Sequence, residues 1–261
     1  MSRITAVFVL SLVMTLFGAF SAVASGPSSP EEAIVALKEG NIRFVDGRSA
    51  HPNLDLERIR DTSANGQHPF ATIIGCSDSR VPLELALDQG IGDLFIIRVA
   101  GNVCSTDEIG SIEYGVDHLR TPLMVVMGHS KCGACTAVAE GAEVHGSIPA
   151  LVAPIGDAVK AVKAHDHSLS GDELVAAVVE ENVWQSIEDL LMKSPDTLKH
   201  VNGGTVKVIG AVYDIETGEV RWLGEHPKQS AIIAAAGGGN PHIATADPHG
   251  EADAGHGAGH H

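Results

Sequence analysis

Three side chains with metal-binding chemistry stand directly after apolar, strand-like runs: Cys76 follows residues 71–75, and His129 and Cys132 follow residues 123–127. Two thiolates and an imidazole suit zinc, and as three protein ligands they leave the fourth tetrahedral position to water. That open position separates a catalytic zinc from a structural one, because the ion's charge lowers the pKa of bound water from about 15.7 toward about 7. Asp78 comes two residues after Cys76 and Arg80 two residues later, a spacing that turns all three toward one cleft. Arg80 can then hold Asp78 through a bidentate pair. Held this way, Asp78 accepts the proton of the bound hydroxide; released, it would bind the metal itself and block it, so the pair reads as a switch. Gly133 opens a predicted helix straight after Cys132, where backbone N–H groups and the positive dipole end favour an anion.

These residues need a scaffold that brings strand ends together. Residues 71–75, 94–99 and 123–127 are short, apolar runs bounded by turn signals, and between the last two Ile109, Ile112, Val116 and Leu119 share a helical face over residues 107–119. Such alternation implies a parallel sheet, whose sites lie at the carboxyl ends of its strands. A helix is predicted from Ser29-Pro30 onward, then a polar link through Asn65-Gly66. Further on, residues 134–139 read as a helix, and residues 174–192 as a long amphipathic one ended by Ser194-Pro195. Residues 205–213 and 219–223 are strand-like and flank Thr217-Gly218, which predicts a closing antiparallel hairpin and a five-stranded sheet.

The ends of the chain differ from this body. Arg3, an apolar stretch over residues 4–20 and then Ala22-Val23-Ala24 fit a signal peptide, residues 1–24, cleaved after Ala24; a periplasmic or secreted protein is expected, with an uncleaved membrane anchor as the competing reading. A catalytic domain is assigned to residues 25–235, soluble and free of the membrane after cleavage. Residues 236–261 are rich in Gly, Ala, Asp and His and are expected to be a disordered tail. His242, His249, His256, His260 and His261 in it suggest zinc capture or proton buffering, against a plain solvated end. With 17 Lys plus Arg against 33 Asp plus Glu and no basic cluster, a nucleic-acid partner is not expected. No repeat is visible in the 261 residues, 44% of them apolar, enough for a sizeable core.

The segments Cys76-Ser77-Asp78-Ser79-Arg80 and His129-Ser130-Lys131-Cys132-Gly133 resemble the paired signatures of the β-class carbonic anhydrases. Arg98-Val99-Ala100-Gly101-Asn102, Gly110-Ser111-Ile112-Glu113-Tyr114 and Leu37-Lys38-Glu39-Gly40-Asn41 are similar as well, carrying the likeness over residues 30–224. The resemblance is to the plant-like type in an exported bacterial form. It implies reversible hydration of carbon dioxide to bicarbonate and a proton by zinc-bound hydroxide, with one Zn2+ per chain on Cys76, His129 and Cys132 and with Asp78 and Arg80 catalytic. It also implies a homodimer or higher homo-oligomer with clefts between subunits, and a mostly parallel sheet in the order 2-1-3-4 plus an antiparallel fifth strand, flanked by helices. Gln67 resembles the glutamine that hydrogen-bonds substrate, Phe95 and Tyr114 resemble residues of the apolar cleft that receives carbon dioxide, and a bicarbonate oxygen would rest at Gly133. Some bacterial members have a tryptophan three residues before the first ligand as part of a regulatory bicarbonate pocket; here that position is Ile73, so no such inhibition is expected.

Other readings stand beside these. Cys132-Gly133-Ala134-Cys135 also has the spacing of a redox pair, which would leave Cys76, Asp78, Arg80 and His129 unexplained, whereas zinc leaves only Cys104 and Cys135 spare. With the metal gone, Cys135 could capture Cys132 as a disulfide. Taken alone, His129 reads as a hydrogen-bonded histidine, Phe95 and Tyr114 as packing, and Gln67 as a loop residue. For function, the rivals are a carbon disulfide or carbonyl sulfide hydrolase on the same scaffold, and a periplasmic zinc-sequestering protein.

Overall fold

The computed structural model describes residues 26–238. The predicted signal peptide and most of the predicted tail lie outside the described residues. In chain order the elements are α1 (Pro30–Val45), α2 (Leu56–Asn65), β1 (Ala71–Gly75), α3 (Leu83–Ala86), β2 (Leu94–Arg98), a 3-10 turn (Ala100–Asn102) and α4 (Thr106–Glu113). A single π-helical turn (Tyr114–His118) extends α4 before β3 (Leu123–His129), α5 (Gly133–Glu140), α6 (Ile148–Val152), α7 (Ile155–His165) and α8 (Gly171–Lys193). The chain continues through α9 (Pro195–Asn202), β4 (Lys207–Tyr213), β5 (Val220–Gly224) and α10 (Gln229–Gly238). Among the described residues no helix is long and apolar enough to cross a membrane.

The sheet has the order β2-β1-β3-β4-β5, parallel except for the β4–β5 pair, as the sequence led us to expect. Each buried strand feeds two cores, because successive side chains point to opposite faces. Ile74, Met124, Val126, Val208 and Val212 pack under α4, α5, α7 and α8, while Ile73, Leu123, Val125, Ile209 and Ala211 pack against α1 and α3. Fully buried strands of this kind read as continuous apolar runs, which is how residues 71–75 and 123–127 were recognised.

Two attachments fix the outer elements. In α1, capped by Ser29 and opened by Pro30, the buried Asn41 donates to Ala86 O at 2.9 Å and to Gly218 O at 2.8 Å, and accepts from Val220 N at 2.9 Å. One side chain thus pins α1 to α3 and to the β4–β5 turn. On the other face α8 lies close to the sheet: a Cβ at Gly128 or Gly210 would come within 2.8 Å of Val183. Glycine in these two neighbouring strands lets the helix approach, and with it the side chains it carries toward the strand ends.

Several elements depart from the sequence reading. The strand predicted over residues 94–99 ends at Arg98, and the helix predicted to residue 119 changes to a π turn at Tyr114. Ser194-Pro195 ends α8 and also begins α9, since Ser194 Oγ accepts from Thr197 N at 3.1 Å and Pro195 occupies the first turn. Helix α2, within the stretch read as a link, buries no residue and owes its start to Asp55, whose side chain accepts from Arg58 N at 2.8 Å. Helix α10 continues to Gly238, past the boundary placed at residue 236.

Candidate active site

The carboxyl ends of β1, β2 and β3 and the start of α5 meet at one point. Cys76 follows β1, His129 ends β3 and Cys132 caps α5, and one ligand atom from each lies within 4.8 Å of the other two. All three residues are buried. The His129 ring is oriented by Nδ1, 2.9 Å from Ser130 O, while Nε2 is buried with no hydrogen-bond partner among the described residues. A buried ring nitrogen facing two thiols, with its other nitrogen occupied by a carbonyl, is the arrangement of a metal-ligating histidine. The thiols agree with that: the neighbouring Cys132 thiol and burial push Cys76 up to about 12, and contact with Cys135 pushes Cys132 up to about 11. Two thiolates cannot share this space unaided, and a divalent cation between them reverses the preference. The donor set fits a zinc ion.

Asp78 stands beside this group, its Oδ2 3.9 Å from His129 Nε2. Arg80 Nε donates to Oδ1 at 2.9 Å and Nη2 to Oδ2 at 2.7 Å, and the Arg80 backbone N–H adds a bond to Oδ1 at 2.9 Å. The guanidinium holds the Asp78 carboxyl well below the usual carboxylate range, and the carboxylate raises Arg80 in turn. Arg80 Nη2 also reaches Lys131 O at 3.3 Å, which ties the pair to the loop between His129 and Cys132. That loop is anchored by Ser130, whose N–H donates to Tyr213 O at 2.9 Å and whose Oγ accepts from Ile215 N at 3.0 Å.

Two further groups act here that sequence reasoning did not single out. Arg98 Nε donates to Cys76 O at 3.1 Å and Nη2 to Asp78 O at 2.6 Å, clamping the segment that carries both a thiol and the carboxylate. Gly101 N–H donates to Cys76 Sγ at 3.3 Å. Both stand in a segment quoted above for its resemblance, and only the folded contacts give them a task.

The remaining residues singled out in the sequence fall in two places. Gly133 is exposed at the first position of α5, next to Cys132. Phe95 and Tyr114 meet, with ring centroids 5.8 Å apart, and Tyr114 lies 5.2 Å from the His118 ring. They sit toward the amino end of β2, where Phe95 pairs with Thr72, three positions and roughly 10 Å from the Gly75–Arg98 pair beside the thiols. Gln67 is exposed ahead of β1, at that same far end. Within one chain these three do not join the Cys–His–Cys group.

A family model described as Carbonic anhydrase matches residues 71–220. Carbonic anhydrase 2 of Mycobacterium tuberculosis is 38% identical over 195 residues, covering 73% of this chain and 91% of that protein. The chain belongs to the β-carbonic anhydrase family. Solved structures agree: a β-carbonic anhydrase of the fungal pathogen Aspergillus fumigatus superposes with a TM-score of 0.63 at 29% identity, over 79% of this chain and 95% of that one. One of two tetrameric β-carbonic anhydrases from the filamentous ascomycete Sordaria macrospora gives 0.60 at 29% identity, over 73% and 96%. As a β-carbonic anhydrase the chain is an enzyme, and hydration of carbon dioxide is the reaction its family membership supports.

Proposed function

We propose that this β-carbonic anhydrase interconverts carbon dioxide and bicarbonate at a zinc ion held by Cys76, His129 and Cys132, one per chain. The observation that carries the reading is the buried Cys–His–Cys group with an Arg80-locked carboxylate 3.9 Å from its ring nitrogen. When bound, zinc supplies Lewis acidity that brings the pKa of a water toward about 7. Asp78 Oδ2 offers an acceptor to an O–H entering beside His129, and so fixes which lone pair faces the carbon atom. Arg80 keeps that acceptor ionised and, by occupying both oxygens, keeps it from turning onto the ligands. The first turn of α5, opened by the exposed Gly133, suits the bicarbonate anion that forms. The proton released passes to buffer.

The apolar cleft for carbon dioxide requires a second copy in this reading. Gln67, Phe95 and Tyr114 lie at the far end of β1 and β2, so they reach a Cys–His–Cys group only from a partner chain in a homodimer. Exposed Leu54, Leu56, Ile59 and Ile91 support a covered surface near that end, where Ile91 N–H donates to Asn53 O at 3.0 Å and Arg58 Nε to Ile91 O at 2.7 Å. Export with cleavage after Ala24 is part of the same proposal and rests on the sequence of the leader.

Stopped-flow hydration of carbon dioxide, with zinc counted per chain and Cys76→Ser alongside, tests the reading. Rapid hydration with about one zinc per chain, both lost in the variant, supports it. Zinc without hydration would end it and turn attention to carbonyl sulfide and carbon disulfide as substrates, or to metal storage.

A further inference from the structure

Helix α8 turns a nearly continuous apolar face to the sheet, with Val175, Val178, Val179, Val183, Ile187 and Leu190 all buried. Asn182 and Ser186 interrupt it, 1% and 2% exposed. Both reach the turn that follows β2: Asn182 Nδ2 donates to Gly101 O at 2.7 Å, and Ser186 Oγ to Asn102 O at 3.0 Å. A carbonyl only accepts, so the amide nitrogen of Asn182 must be the atom that faces Gly101. Its Oδ1 is left buried without a partner among the described residues. Asn182 thus leaves its own Oδ1 unpaired while satisfying the buried Gly101 carbonyl, a bond that an apolar side chain of similar bulk could not make.

The consequence of the bond appears at the metal group. The peptide joining Gly101 to Asn102 is gripped at both ends, its N–H donating to Val99 O at 3.1 Å and its carbonyl accepting from Asn182. Gly101 itself is held at φ +77°, with Ile155 Cδ1 only 2.7 Å from where a Cβ would stand. With both its conformation and the following peptide fixed, the Gly101 N–H points at Cys76 Sγ, 3.3 Å away. A donor hydrogen bond withdraws charge from a thiolate and orients its lone pairs, and so changes how strongly it donates to a cation.

We propose that Asn182 is a positioning residue of the metal site: it holds the Gly101 turn so that one backbone N–H is aimed at the Cys76 sulfur. The proposal rests on Cys76 being a metal ligand, and its test keeps the two questions apart. The full chain is loaded with cadmium-113, whose resonance position reports thiolate ligation, and the Gly101 amide proton is examined for scalar coupling to the metal through the N–H···S bond. In the wild type the coupling should be present. Asn182→Leu should abolish it and weaken zinc about tenfold in competition with a chelator. Ser186→Ala, which frees only the neighbouring carbonyl, should lower the thermal midpoint and keep the coupling. Asn182→Ala, which removes the donor without added bulk, serves where the leucine variant does not fold and should behave likewise. A cadmium resonance unchanged by Cys76→Ser would overturn the metal-site reading itself. Thiolate-bound cadmium without Gly101 coupling in the wild type, coupling and affinity kept in the Asn182 variants, or an equal loss in Ser186→Ala would overturn the role of Asn182.

Discussion

Arg80 holds both carboxylate oxygens of Asp78, through Nε at 2.9 Å and Nη2 at 2.7 Å, while its backbone N–H adds a third bond. The Arg80 side chain is 52% exposed, so solvent screens the pair and its direct worth to stability is small. Its value is positional. Arg80→Ala should therefore cost turnover about 100-fold while leaving the urea midpoint nearly unchanged at pH 7. The folded Asp78 has its pKa depressed below the ordinary 3.8, so the pair's stabilisation is complete above that pH and disappears as pH falls through the depressed value. The small stability gap between wild type and variant should be constant from neutral pH down to about pH 5 and close only in strong acid. A gap that opened toward neutral pH would contradict the ion-pair account.

Removal of the metal leaves two buried thiols side by side. The Cys76 thiol, pushed from 9.0 up to about 12 by Cys132 and by burial, stays protonated in the folded apo chain where an unfolded chain has already ionised. A group raised on folding contributes fully below its unfolded pKa and loses its contribution as pH rises toward the folded value. Chelator-stripped protein should accordingly lose stability between pH 9 and 11, measured by urea denaturation, and the zinc-loaded protein should not. Apo Cys76→Ser should show a shallower decline than the apo wild type.

The chemistry of the site was more legible than its surroundings. Cys76, Asp78, Arg80, His129 and Cys132 follow apolar strand runs, and a parallel sheet has few places to put such residues besides its carboxyl edge. Asn182 gave no such signal: it stands inside an amphipathic helix and acts on Gly101, 81 residues away, through a contact made only after α8 settles onto Gly128 and Gly210. Phe95 and Tyr114 illustrate a different limit. Likeness to other chains placed them in a cleft between subunits, and within one chain the strand register sets Phe95 at the amino end of β2, away from the thiols. Helix α2 buries nothing and so has no apolar stripe to find, but Ile155, Ala158, Val159 and Val162 of α7 do form one that was open to recognition.

Asn41 is the most consequential polar side chain away from the site. It is 5% exposed and satisfies three backbone groups, Ala86 O, Gly218 O and Val220 N, on two other elements. Asn41→Ala would leave those groups buried and unpaired, at a cost of about 3 kcal/mol. Urea unfolding should show a lower midpoint with an unchanged slope, and zinc content of the folded fraction should be that of the wild type. A loss under about 1 kcal/mol would mean that water replaces the side chain at those positions.

The far placement of Gln67, Phe95 and Tyr114 makes the two-chain cleft testable by complementation. Cys76→Ser lacks a metal ligand but keeps Gln67, while Gln67→Ala keeps the ligands and lacks the amide; each alone should be nearly inactive. When the two are unfolded together and refolded, random pairing gives mixed dimers for about half of the population. In each mixed dimer the intact Cys–His–Cys group faces the intact Gln67 of its partner, and the other site has neither. One working site in two, over half of the dimers, restores about a quarter of wild-type activity. If each site were built from a single chain, both sites of the mixed dimer would be damaged and no activity would return. Tyr114→Ala in place of Gln67→Ala should give the same recovery, because both residues lie at the far end of the sheet from Cys76 in their own chain.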